Sequence, residues 1–597
     1  MSLVEVTDLT VEFGALRAVD GLSFRLSEGA ALGLVGESGS GKSTVASALL
    51  GLHRGTGATV GGSVRVAGTD VRAASDEELR RMRGGRAAMV FQDPLSSLDP
   101  YYAIGDQIAE VYRVHTRVSR RTARARAVRV LDRVGIPDPV RRSRSRPHEF
   151  SGGMRQRALI AMALACEPDL LIADEPTTAL DVTVQAQILD LLHNLREETG
   201  MGLLLVTHDV GVAAESVDDV LVMRQGRLVE YGPVGAVLAA PAQPYTRELL
   251  AAVPRVEARR AVGHGPENPD ARRPDVRQPD GGGSGESDVR PRDAGGSGES
   301  DVRRPDVSGP QADVRRAATG SSSEGAVTGP SSEVVLEAHG LRREFGRGKR
   351  AFAAVDGVSL TVHRGETVGV VGESGSGKTT LGRMLVGLLE PTAGEVRYEG
   401  RLSSGVNPTV QMVFQDPVSS LNPRRSVGES IADPLRARGA RGRDEARVRG
   451  RVTGLLERVG LEPAHYDRYP HEFSGGQRQR VGIARALAAD PRVIVCDEPV
   501  SALDVTTQAQ VVALLGELQR ELGLALVFVA HDLAVVRQVS DRVAVMRRGR
   551  VVEEGPADEV YESPRDPYTR QLLAAVPALD PEVAARRRAE RREPALA

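Results

Sequence analysis

The chain has 597 residues, 41% of them hydrophobic, with 78 basic and 80 acidic side chains and a formal net charge of -2. That length allows two large domains or about three or four ordinary ones, and the charge balance supplies no general attraction to nucleic acid or to an anionic membrane. Two cysteines, Cys166 and Cys496, exclude a disulfide framework and any zinc or iron–sulfur site built on cysteine ligands, and they suit a reducing compartment.

The first residues lack a basic segment and an apolar run, so no secretory leader is expected. Alternating segments, Val4 to Phe13 and Leu22 to Leu26, predict strands. The apolar run Ala31 to Val35 predicts a buried strand that feeds a glycine-rich loop and a helix. A helix-rich stretch follows from about 104 to 165. Buried strands are then predicted at Leu170 to Ala173, ending on Asp174-Glu175, and at Leu203 to Val206, just before His208. Near-continuous apolar strands alternating with helices predict an α/β fold around a covered, mainly parallel sheet. The most apolar stretch, Leu524 to Val536, is too short to span a bilayer and carries His531 and Asp532.

This order of elements occurs twice. Residues 1–254 and 334–577 are two copies, and Gln92/Gln415, Ser151/Ser474, Asp174/Asp497 and His208/His531 are each 323 residues apart. A fixed offset over so long a stretch marks two copies of one folded unit. Upstream of Gln92 the first copy is longer by 13 residues, a difference expected in a surface lobe near 68–88, against 399–408 in the second copy. Residues 255–333 contain no Leu, Ile, Met, Phe, Tyr or Trp, and Gly282 to Arg290 repeats at Gly295 to Arg303. Such a segment cannot bury enough apolar surface to offset ordering, so a disordered linker is expected, with an r.m.s. span of about 45–55 Å. Residues 578–597 read as a charged tail.

The motifs carry phosphate chemistry. Gly36-Glu37-Ser38-Gly39-Ser40-Gly41-Lys42-Ser43-Thr44 returns as Gly372-Glu373-Ser374-Gly375-Ser376-Gly377-Lys378-Thr379-Thr380. Between strand and helix, such a loop cradles a β-phosphate with backbone N–H groups. Its lysine reaches the β/γ oxygens, and Ser43 or Thr379 can coordinate Mg²⁺. Only three lysines occur in the chain, and two sit in these loops. A compact ammonium there does what an arginine fork does badly. Asp174 and Asp497 belong on the metal, and Glu175 and Glu498 are placed to polarise a water. Adjacent carboxylates alone would be read as solvated; here each glutamate lies 24 residues after its Ser-Gly-Gly and 33 before its histidine in both copies. His208 and His531 are candidate γ-phosphate contacts. Ser151-Gly152-Gly153 and Ser474-Gly475-Gly476 open helices, a second anion site per copy that suggests service to the other copy's nucleotide.

Together these residues resemble the ATP-binding cassette (ABC) family over both copies. The resemblance implies two P-loop nucleotide-binding domains, each with a RecA-like core, an antiparallel β lobe and a helical subdomain, set head to tail with two ATP molecules between them. One site would combine Lys42, Ser43, Gln92, Asp174, Glu175 and His208 with Ser474 to Gln477. The other would combine Lys378, Thr379, Gln415, Asp497, Glu498 and His531 with Ser151 to Met154. It also implies Phe13 and Phe345 as adenine-stacking aromatics, Gln92 and Gln415 on Mg²⁺, and Asp181 and Asp504 in the loop joining the sites. Phe352 competes with Phe345, and Met154 stands where a glutamine is usual.

Within the family the chain resembles ATPases of dipeptide, oligopeptide and nickel importers, fused in pairs. That likeness rests on Phe91-Gln-Asp-Pro-Leu-Ser-Ser-Leu-Asp-Pro100 and its counterpart Phe414 to Pro423, on Pro-His-Glu-Phe before each Ser-Gly-Gly, on Ala-Leu-Asp-Val-Thr, and on the Pro-Tyr-Thr-Arg segments at Pro244 and Pro567. It implies two membrane permease subunits as partners, an indirect periplasmic or lipid-anchored solute-binding protein, and a peripheral place on the cytoplasmic face of the membrane. The alternative is a soluble tandem cassette acting on ribosomes or nucleic acid. That class needs a charged helical linker, and the linker here is rich in Gly and Pro. The Arg-rich stretches Arg117 to Arg133, Arg436 to Arg451 and Arg586 to Arg592 read as solvated helix faces, so no nucleic-acid partner is expected.

Overall fold

A computed structural model describes residues 2–178, 180–258, 333–346, 351–403, 405–416, 420–437, 445–501 and 503–592. The expected linker, apart from its ends, and residues 593–597 lie outside these.

The first copy contributes β1 (Ser2–Phe13), β2 (Leu16–Ser27), β3 (Ala31–Val35), β4 (Ala58–Val66), β5 (Thr69–Asp70), β6 (Ala87–Val90), β7 (Leu170–Asp174), β8 (Gly202–Thr207), β9 (Asp219–Arg224) and β10 (Arg227–Pro233). The second contributes β11 (Val334–Phe345), β12 (Phe352–His363), β13 (Thr367–Val371), β14 (Ala393–Tyr398), β15 (Arg401–Leu402), β16 (Val410–Val413), β17 (Val493–Asp497), β18 (Ala525–Val529), β19 (Arg542–Arg547) and β20 (Arg550–Pro556).

Each copy has a four-stranded antiparallel sheet, ordered β2-β1-β4-β5 or β12-β11-β14-β15. Each also has a six-stranded sheet, ordered β10-β9-β3-β8-β7-β6 or β20-β19-β13-β18-β17-β16, parallel except for its last hairpin. Strands β3, β7 and β8 are buried throughout because both sheet faces are covered. Leu32, Leu34, Ile172 and Leu204 pack with the antiparallel lobe, whereas Val35, Leu171, Ala173 and Leu205 pack with the helical side. The period of two thus divides one strand between two cores.

The extra residues of the first copy form the helix Asp76–Met82, opened by a Ser75/Glu78 capping box and anchored by buried Leu79 and Met82. The second copy passes from β15 to β16 without a counterpart helix among the described residues. The helices Val182–Thr199 and Val505–Leu522 begin at capping aspartates, Asp181 and Asp504, and stop at Gly200 and Gly523 in left-handed geometry. No helix among the described residues is long and apolar enough to cross a membrane.

The two copies exchange their ends. Val256, just past the first copy, packs against the core of the second, and Arg537 Nη1 donates to its carbonyl. Leu579, at the matching position, packs against the core of the first. The charged segment beyond it forms the helix Pro581–Arg592, which lies on the helix Val210–Ser216 of the first copy. There Arg588 donates to the Glu215 carbonyl and meets His193. Arg587 pairs with Glu257 at 3.2 Å, joining the two exchanged ends. Val182 and Val505 are buried in each other's copies in the same way.

Leu579→Ala should cost about 1–2 kcal/mol, as a half-buried leucine contact does. The loss should appear in the first copy, as faster amide exchange across Val210–Ser216, and Val256→Ala should act on the second copy instead.

Candidate functional site

The phosphate loops are shaped by two glycines each. Gly36 has φ +152° and Gly41 φ +98°, and a Cβ on them would lie 2.2 Å from the Met223 carbonyl and 2.4 Å from that of Ala18. Gly372 and Gly377 meet Met546 and Ala354 at 2.2 Å in the same way. No other residue fits this bend. The loop turns each lysine inward: Lys42 and Lys378 are 5% exposed. Lys42 Nζ donates to the Gly36 and Glu37 carbonyls at 2.8 Å, and Lys378 Nζ to those of Gly372 and Glu373 at 2.7 and 2.9 Å. Burial lowers the pKa of Lys42, opposed by Glu175, Asp174, Asp504 and Glu37. Asp504 belongs to the other copy, and Asp181 acts likewise on Lys378.

Ser43 Oγ donates to Asp174 Oδ1 at 2.9 Å, and Thr379 Oγ1 to Asp497 Oδ1 at 3.0 Å. A hydroxyl and a carboxylate side by side at a loop that cradles phosphate can hold a hard cation. Among the described residues no group of three or more His, Cys, Asp or Glu forms a self-contained metal site. A cation here would therefore depend on oxygens of a bound nucleotide and on water. Burial raises the pKa of Asp174, opposed by the Ser43 hydroxyl and by Lys42 and reinforced by Glu175.

Glu175 and Glu498 follow at φ +48° and +45°, a left-handed conformation uncommon outside glycine and enriched at functional sites. Glu175 receives the Gln92 amide at 2.7 Å, the Thr178 hydroxyl at 2.9 Å and His208 Nδ1 at 3.1 Å. Glu498 receives the Gln415 amide at 2.7 Å and His531 Nδ1 at 3.5 Å. Burial alone would raise the Glu175 pKa, but His208, Thr178 and Lys42 hold it below the ordinary carboxylate range. His208 is raised: burial opposes charge, and the hydrogen bond and charge of Glu175, with Asp209, overcome it. The second copy shows the same directions at Glu498 and His531.

The two sites touch. Ser374 N donates to Asp181 Oδ2 across the copies at 3.3 Å, and Thr506 Oγ1 donates to Glu37 Oε1 at 3.1 Å. A cavity of about 410 Å³ between the copies is lined by His208, Asp209, His531 and Asp532 together with both exchanged ends.

Residues 19–178 and 355–501 match the ABC transporter family, and residues 229–282 and 552–597 match the oligopeptide/dipeptide transporter C-terminal region. The chain belongs to the ABC transporter family. Each copy is an ABC cassette, and the chain binds ATP and is an ATPase. It is 46% identical to a glutathione import ATP-binding protein of Salmonella choleraesuis, across 94% of this chain and 87% of that one. Proteins of the same description from Shigella dysenteriae and Pectobacterium atrosepticum are 44% and 43% identical, across 95% and 97% of this chain and 87% and 90% of theirs.

Ser151 and Ser474 cap the helices that follow them. Gln477 Oε1 also accepts from Ser474 N at 3.0 Å, closing a box that Met154 cannot make in the other cassette. Phe13 ends β1, half-exposed, with His53 at its edge. Phe345 ends β11 at the same place, and Phe352 is its strand partner on β12. Sequence reasoning passed over Thr178 and Thr506. The repeat held a hint of the first, because Ser501 keeps a hydroxyl at the matching position, though it donates to the Glu498 carbonyl instead.

The Glu175–His208 pair sets a pH dependence. The raised histidine contributes stability below its unfolded pKa of about 6.5, lost as pH rises through the folded value. The lowered glutamate contributes above about 4.5, lost as pH falls through its folded value. The melting temperature of the nucleotide-free chain should therefore exceed that of His208→Gln most near pH 6. The difference should shrink in alkaline buffer, as read from melting curves between pH 5 and 9.

Proposed function

We propose that this chain is the energy-coupling subunit of an importer for small peptides or peptide-like solutes such as glutathione. It would work at the cytoplasmic face of the membrane on two permease subunits, with a solute-binding protein delivering the cargo. The observation that carries this reading is the pairing of two complete cassettes with two copies of the oligopeptide/dipeptide C-terminal region. Similarity to glutathione import proteins along nearly the whole chain supports it. A ribosomal or nucleic-acid role is not favoured by these relatives.

In this reading the loop amides and Lys42 or Lys378 bind the ATP phosphates, and Phe13 or Phe345 stacks on the base. Mg²⁺ would be held by Ser43, Asp174 and Gln92, or by Thr379, Asp497 and Gln415, and would neutralise charge on the phosphates. Glu175 and Glu498 polarise the attacking water, and their depressed pKa keeps them ready as bases. His208 and His531 contact the γ-phosphate. The serines at 151 and 474 complete the opposite site, and Asp181 and Asp504 connect the two.

The segments after Gln92 and Gln415 would receive the permeases. Tyr101 and Tyr102 are well exposed in the first cassette, and the matching positions of the second hold Arg424 and Arg425. Two chemically different faces suit two non-identical permease subunits.

Glu175→Gln and Glu498→Gln should each lower hydrolysis by roughly 10²-fold or more while ATP still binds. The functional reading is tested by purifying the tagged chain from detergent-solubilised native membranes and measuring uptake with the co-purifying proteins in vesicles. Two polytopic subunits and ATP-dependent uptake of glutathione or a dipeptide are expected. Recovery with ribosomal proteins and no permease would overturn it.

A further inference from the structure

The Pro-Tyr-Thr-Arg segments sit directly behind the phosphate loops. Tyr568 lies in the first turn of the helix Pro567–Ala574, whose cap, Asp566, accepts from the Tyr568 amide at 2.8 Å. The ring is 3% exposed and rests against the Arg547 guanidinium, 4.7 Å from the ring centre. Arg547 ends β19, next to Met546, whose carbonyl faces Gly372 at the start of the loop. The Tyr568 hydroxyl then accepts a hydrogen bond from the Glu373 backbone N–H at 3.0 Å.

Glu373 and Ser374 form the outer arm of the loop. Ser374 N is held by Asp181 of the other cassette, so the arm is fixed from two sides. The first cassette repeats the packing: Tyr245 is buried, Arg224 lies 4.5 Å from its ring centre, and Glu37 is its neighbour. Its hydroxyl faces the Glu37 backbone N–H in the same way. The helix that carries it, Pro244–Ala252, also packs against Val505–Leu522 of the second cassette.

We propose that Tyr568 is a positioning residue for ATP binding, which anchors the outer arm of the Lys378 loop through the Glu373 amide. This rests on the reading of that loop as an ATP site. Without the anchor, one backbone donor loses its partner in a part-buried place and the arm gains freedom. The cradle must then be ordered by the nucleotide itself, which weakens binding and leaves the chemical step intact. Because Tyr245 meets the Glu37 backbone in the same place, the motif serves both loops alike.

The test uses the full-length chain. Tyr568→Phe keeps the ring over Arg547 and removes only the acceptor. The KM for ATP should rise about three- to tenfold, the span that loss of one hydrogen bond gives. The kcat at saturating ATP and the melting temperature of the nucleotide-free chain should be unchanged. Tyr568→Leu, which also removes the ring, should lower the melting temperature as well. Tyr245→Phe, which removes the matching acceptor for the Glu37 amide, should raise the KM by a similar factor. An unchanged KM in Tyr568→Phe would overturn the proposal, as would a joint fall in kcat and melting temperature. Lys378→Ala separates the two readings. If it abolishes ATP binding at one site while Tyr568→Phe is silent, only the anchoring fails. If it has no effect on ATP binding, the reading of the loop itself fails.

Discussion

A buried ammonium is the constraint on which this molecule turns. Lys42 and Lys378 are desolvated inside loops of their own carbonyls, a costly state made tolerable by convergent carboxylates. Those carboxylates come from places far apart in sequence: the strand end at Asp174 and Glu175, and Asp504 of the other cassette. Holding them together requires β3, β7 and β8 to be adjacent and in register, which the parallel sheet provides. It also requires the second cassette to be present. The charge balance of a single loop is thus shared by both halves of the chain.

The two cassettes share a plan but differ in detail. Glu175 has three side-chain donors, Gln92, Thr178 and His208, the last at 3.1 Å. Glu498 has a longer contact to His531, and Ser501 turns to the backbone. Gln477 closes a capping box that Met154 leaves open. Thr506 reaches Glu37 across the interface, whereas the Thr183 hydroxyl at the matching position is buried with no hydrogen-bond partner among the described residues. These differences concern hydrogen bonds around a geometry the two cassettes share, so the two loops are alike in frame and unlike in their polar partners.

Much of this was legible in the sequence because the repeat tested each motif against its own copy. The glycine loop, the acidic strand ends and the histidines all rest on local rules, in which a residue type answers a backbone shape or a strand terminus. Thr178, Thr506 and Tyr568 were not legible as site residues. Each acts through a contact fixed by tertiary packing, and nothing local distinguishes a hydroxyl aimed at a glutamate from one facing water. The exchanged ends were hidden for a different reason. Val256 and Leu579 lie in short stretches just past a Val-Pro pair, and so short a stretch has no periodicity to name the face it will meet.

The exchange of Val256 and Leu579 places the two cassettes in an order of time. The first cassette leaves the ribosome with one side of Val210–Ser216 uncovered, and the cover for that side lies about 370 residues further along, some 20–70 s of synthesis at ordinary rates. The second cassette meets no such delay, since Val256 is made before it. A nascent chain of this design carries an incompletely covered first half until residues 579–592 are made, and it is during that interval that a chaperone or a neighbouring nascent chain can reach it.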